Sequence, residues 1–142
     1  MLETIKQAAE NFCTHQIQES CKSENEISKK RTLIAYIDIE TTEQKLYRVY
    51  LAAEKAFVQK VAKLFLEEDE SDDETLQDMT LETANLIIGS AKVLAEENGS
   101  NAFTIQTPRF EKEGVFDFDV DEAMTLNLNG TELTLAIKEI DA

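Results

Sequence analysis

The sequence predicts an α+β fold, with helices packed on one face of a mostly antiparallel sheet, and three observations predict it. The hydrophobic period switches along the chain between about 3.6 and 2 residues. The segments so defined run helix, strand pair, helix, long helix and then several strands. The 142 residues suffice for one core, so a single domain over residues 1–142 is expected.

Each element follows from its own pattern. Leu2, Ile5, Ala9, Phe12 and Gln16/Ile17 recur at helical spacing, which predicts an amphipathic helix to about residue 19. Ser20–Arg31 is polar and without period, and reads as loop. Thr32–Ile39 is rich in β-branched and aromatic residues and reads as a strand. A turn at Thr41–Lys45 leads to a second strand at Leu46–Ala52, so the pair is expected to be a hairpin. From Glu54 the helical period returns with Phe57, Val61, Leu64 and Phe65, ending near Leu66. The longest periodic stretch, about Thr75–Glu97, stops at Asn98-Gly99, a good helix-ending pair. Strands are then expected at Phe103–Gln106 and Val115–Val120. A final hairpin turns on Asn129-Gly130, pairing Leu126 with Leu133 and Leu128 with Thr131.

Charge narrows the function. With 14 Lys+Arg against 29 Asp+Glu the net charge is −15, a field that repels phosphate backbones and anionic membrane surfaces alike. Neither nucleic acid nor membrane is expected as a partner. The apolar runs are too short to span a bilayer, and Met1–Lys6 lacks a basic-then-apolar leader. A cytoplasmic protein is expected. Cys13 and Cys21 fit that compartment: on one continuous helix their Cα atoms would stand ~12 Å apart, beyond the ~7 Å a disulfide tolerates. Glu67–Glu74 holds seven acids in eight positions without the glycine and spacing of a calcium loop. It reads as a solvated loop before a helix N-terminus. Asp117, Asp119 and Asp121 alternate with apolar residues as one wet face of a strand, and no metal site is expected.

The long helix carries the informative residues. At about 100° per residue, Leu81, Ala84, Ile88, Ala91 and Ala95 form a core stripe. Asp78, Glu82, Asn85, Gly89 and Glu96 fall on a separate polar strip a quarter-turn or so away. Glu82 and Asn85, at i and i+3, project side by side. Leu86 and Val93 border the strip as partly exposed apolar residues, which suits a docking surface. Asn and Gly are poor mid-helix residues, and a glycine on the strip lets another surface come close.

Asp78-x-x-x-Glu82-x-x-Asn85-x-x-x-Gly89 resembles the signature of the CheC/CheX/FliY chemotaxis phosphatases at every defined position. A single copy of the motif at this length, Ala91-Lys92 and the run to Thr107-Pro108 are most similar to CheX. The resemblance extends over nearly the whole chain. Two departures are the Thr42–Lys45 turn, where family members often carry glycines, and the acidity of the region after Pro108.

The resemblance implies a phosphatase for the aspartyl-phosphate of a CheY-like response regulator. Asn85 would orient the attacking water and Glu82 would pair with the regulator's lysine. Asp78, Gly89, Leu86 and Val93 would be motif or interface positions. No cofactor of its own is implied, since Mg²⁺ belongs to the phosphorylated regulator. Family resemblance also implies a homodimer joined through sheet edges. The alternative function is a non-catalytic binding module for a signalling or flagellar partner, and the Glu82/Asn85 pair favours the enzyme.

Overall fold

The computed structural model describes residues 1–99 and 102–140. Helix α1 (Leu2–Asn11) runs on into a π-helical turn, Phe12–Ile17, before strands β1 (Lys22–Glu24), β2 (Arg31–Thr41) and β3 (Leu46–Ala53). Helices α2 (Lys55–Leu66) and α3 (Asp73–Glu97) follow, then β4 (Phe103–Ile105), β5 (Arg109–Val115), β6 (Glu122–Leu128) and β7 (Thr131–Ile140). The strands form one antiparallel sheet in the order β1-β6-β7-β3-β2-β4, with β5 also on β2. This is the expected α+β architecture.

Both hairpins have the expected pairing. At the last turn Leu126 faces Leu133 and Leu128 faces Thr131. Asn129 and Gly130 hold φ of 53° and 93°, the left-handed pair that a two-residue turn needs to match the strand twist. Such a register puts Leu126, Leu128, Leu133, Leu135 and Ile137 on one buried face, since side chains alternate along a strand.

Two expectations about strands are corrected. The polar Ser20–Arg31 stretch contains β1, which pairs with β6 at the sheet edge. All three of its residues are exposed, so burial imposes no alternation on it. The strand expected at Val115–Val120 lies earlier, as β5, and residues 116–120 are outside any ladder. Beta5 is charged, only one of its residues is buried, and its ladder shifts register at Ile34/Ala35, so it lacks a clean period of 2. The Phe116 and Phe118 rings instead pack on Tyr50, with centroids 5.3 and 4.9 Å away. They cover the sheet face opposite the helices, where Ile34, Ala52 and Ala136 are also buried. On that face Arg48 donates two hydrogen bonds to Asp38, of 2.8 and 3.0 Å, directly across the β2–β3 ladder.

The main core lies between the sheet and the helix layer, centred on Ile5, Phe57, Val61, Ile87 and Ile88 with the inner residues of β2, β3, β6 and β7. Alpha3 begins at Asp73, two residues before the expected start, because Asp72 caps it by accepting a 2.8 Å hydrogen bond from Thr75 N–H. That bond holds the Asp72 carboxyl below its usual range. Two buried hydroxyls inside α3 are satisfied locally: Thr80 and Thr83 each donate to the carbonyl four residues back, at 2.7 Å. Among the described residues, no helix is long and apolar enough to cross a membrane.

The first helix ends sooner than expected. Gln18 adopts a left-handed conformation, φ 63°, and turns the chain so that Cys21 returns beside Cys13. The two thiols are therefore neighbours rather than ~12 Å apart along a helix, and both are free. Burial pushes the Cys13 thiol up from 9.0 to about 12, and Cys21 adds to the rise. A raised thiol contributes stability that is intact below 9.0 and is lost as pH rises through about 12, because the unfolded chain ionises first. Urea midpoints measured between about pH 8 and 11 should fall more steeply for wild type than for Cys13→Ala. Equal slopes would show that Cys13 ionises as freely in the folded protein as in the unfolded one.

Candidate functional site: an acid–amide strip on one helix

Alpha3 packs against α1, α2 and β2, and this triple contact sets which way its residues face. Leu76, Met79, Thr80, Thr83, Ala84, Ile87, Ile88, Ala91 and Ala95 are buried. The buried arc is broader than the expected stripe, and Leu81 is only partly covered. Its centre runs through Thr80, Ile87 and Ala91, roughly half a turn from Asn85 at about 100° per residue. The polar strip thus stands opposite the core rather than a quarter-turn from it.

Asp78, Glu82 and Asn85 are all exposed, and Gly89 is half-buried. One helical turn brings Glu82 and Asn85 together, with Cβ atoms about 5–6 Å apart. Among the described residues, neither Asp78 nor Glu82 forms an ion pair. Among the same residues, the Asn85 amide forms no side-chain hydrogen bond. The strip therefore presents a carboxylate and an amide whose bonding capacity is unspent within the chain. Further along, Lys92 pairs with Glu96 at 3.1 Å.

Gly89 has no packing reason among the described residues. Among those residues a Cβ added there would meet no atom within 4 Å, so helix–helix packing does not demand glycine. A mid-helix glycine costs about 1 kcal/mol relative to alanine, which leaves the cost without an internal return.

Leu86 and Val93 are 37% and 52% exposed, as their place beside the strip predicted. Leu64 and Phe65, expected in the core of the preceding helix, are each 45% exposed together with Leu66. They are the last three residues of α2. Between α1, its π turn and α3 opens a hollow of about 290 Å³. Phe12, His15 and Gln16 line it from the π turn, Leu86 and Ser90 from α3, and Phe65 from α2. Sequence reasoning missed this hollow. The available signal was the run Leu64-Phe65-Leu66, apolar all round the helix just before an acidic loop.

The acidic residues set apart as non-catalytic have structural tasks. Asp73 pairs with Lys55 at 3.1 Å, and Gln59 ties the loop by accepting from Ser71 N–H at 2.9 Å. Asp117 pairs with Lys112 at 2.8 Å, and Asp121 accepts from Glu139 N–H at 2.7 Å. Among the described residues, no three His, Cys, Asp or Glu side chains converge as a metal site would require.

One antiparallel sheet thus carries one layer of helices, and a Glu-x-x-Asn strip faces outward from the longest of them. The sequence model of the chemotaxis phosphatase CheX matches residues 39–126. The chain belongs to the CheX family. No curated protein matches it significantly by sequence. Among solved structures it is similar to the chemotaxis protein CheX from Vibrio vulnificus, with a TM-score of 0.82 at 14% identity, over 98% of this chain and 95% of that one. A CheC-like superfamily protein from Shewanella sp. PV-4 gives 0.77 at 15% identity, over 99% and 97% of the two chains. The CheX–CheY–BeF3–Mg²⁺ complex from Borrelia burgdorferi gives 0.68 at 16% identity, over 99% and 97%. At these identities the likeness establishes the fold.

Proposed function

We propose that this protein accelerates hydrolysis of the aspartyl-phosphate of a CheY-like response regulator, with Asn85 and Glu82 as the working residues. The observation that carries the reading is the exposed, internally unengaged Glu82/Asn85 pair on a helix that the family motif marks. Family membership and the Borrelia CheX–CheY complex support the choice of partner.

The chemistry needs little from this chain. A water oxygen attacks phosphorus in line, the bond from phosphorus to the aspartyl oxygen breaks, and phosphate and a free carboxylate result. The regulator supplies Mg²⁺ and a lysine for the phosphoryl oxygens, so no cofactor of this chain is required. Asn85 Oδ1 accepts a hydrogen bond from the water and fixes its line of approach. An amide does so without adding charge beside the phosphoryl oxygens. Glu82 pairs with the regulator's lysine and sets the register of the helix in the regulator's site. Asp78 belongs to the same contact surface. The setting is cytoplasmic in this reading, and two copies of the chain join through sheet edges, at β1 or at β4 and β5.

Titrating the protein into a panel of regulators phosphorylated by acetyl phosphate, while phosphate release is followed, tests the function. At least one regulator should lose its phosphoryl group faster in proportion to added protein; no acceleration across the panel would refute the reading. Gly89 provides a second check. Gly89→Ala should stabilise the fold by about 1 kcal/mol and yet weaken dephosphorylation, because the added methyl group stands where the regulator comes close. A variant that is both more stable and fully active would remove Gly89 from the interface.

A further inference from the structure

We propose that the hollow between the π turn and α3 is the seat for an apolar side chain of the phosphorylated regulator, with Phe65 as its principal contact; this rests on the phosphatase reading. Two of the exposed large apolar side chains meet there, and three more lie close to them in the chain. Phe65 and Leu86 line the hollow, Leu64 and Leu66 flank Phe65 in the chain, and Val93 stands two turns along α3 from Leu86, all at least 37% exposed. A concentration of this kind marks a surface that is covered part of the time. A π-helical turn, which often accompanies functional surfaces, forms the opposite wall with Phe12 and His15.

Position and charge identify the occupant. Leu86 adjoins Asn85 in the chain, and Ser90 lies little more than one turn beyond it. A globular partner whose phosphoryl group rests over Asn85 therefore extends over the hollow as well. The acids nearest its lining residues in the chain select the partner's chemistry: Glu67–Glu74 follows directly on Leu66, and Glu82 stands one turn before Leu86 on α3. An apolar plug within a basic collar fits this surface. A second copy of the chain does not. Each copy carries a charge of −15, and packing this face on itself would bring both acidic loops together and cover Asn85.

Steady-state dephosphorylation of the acetyl-phosphate-charged regulator that turns over fastest tests the assignment. Phe65→Ser should raise the half-saturating regulator concentration about tenfold while the saturated rate stays within about twofold. Phe65→Leu should recover most of the loss. Unchanged half-saturation in Phe65→Ser, with wild type active, overturns the seat and leaves the phosphatase reading standing. If wild type dephosphorylates no regulator, calorimetric titration of the phosphorylated regulators decides: equal binding to wild type and Phe65→Ser overturns the seat, and weaker binding to the variant supports it. Light scattering closes the remaining possibility. Edge-joined copies would give twice 16.0 kDa for wild type and variant alike, whereas a mass that falls in Phe65→Ser makes a second copy the occupant and overturns the proposal.

Discussion

Asn85→Ala should lower the saturated dephosphorylation rate by ~10²-fold or more while binding of the phosphorylated regulator stays near wild type. Ordering a reactant can account for several kcal/mol of a barrier, and Asn85 is proposed to hold only the attacking water. Loss of the amide therefore falls on kcat rather than on half-saturation. Asn85→Asp is the sharper variant: it keeps the shape but sets a negative charge beside the phosphoryl oxygens, and should be no better than alanine. Asn85 is exposed and its side chain makes no hydrogen bond among the described residues, so the melting temperature should hardly move. Single-turnover decay of the phosphorylated regulator, read beside a thermal melt, separates these effects. Normal dephosphorylation by folded Asn85→Ala would end the catalytic assignment and leave a binding module.

Glu82→Ala should behave differently, raising half-saturation about ten- to hundredfold and also lowering the saturated rate, because its partner is a cation on the regulator. Glu82→Gln keeps the length and one acceptor oxygen and should fall between alanine and wild type. Glu82→Lys sets like charges together and should be the weakest of the three. Wild-type affinity should also weaken with added salt more than that of Glu82→Gln, since an exposed charge pair is screened. If Glu82→Ala changes only the saturated rate, Glu82 acts on the reacting atoms and does not dock the helix. If it changes nothing, the proposed lysine contact is wrong.

Much of the fold was legible because local chemistry and burial agree in the sequence. Asn129-Gly130 specifies both a turn and a register, and once that register is set Leu126 and Leu133 can face only the core. The β2–β3 pair was legible for the same reason, being central strands with one face under the helices. Strand β5 was misplaced because its edge position leaves Arg109, Glu111 and Val115 exposed. The Phe116–Val120 alternation reflects packing on the outer sheet face without a ladder. Beta1, exposed throughout, had no pattern to read.

By itself the sequence determined the α+β class, the two hairpins and the grouping of Asp78, Glu82, Asn85 and Gly89 on one strip, since helical spacing alone puts them there. It also carried the resemblance to the CheX family, through those four residues together with the order of the elements. Only the tertiary structure decided that the strip points directly away from the core, because that depends on α3 touching α1, α2 and β2 at once. It likewise decided that Cys21 returns to Cys13, through one left-handed residue, and that Phe65 leaves the core to line a hollow together with Leu86. These are relations between residues on different elements. Periodicity describes one element at a time, so packing alone can settle them.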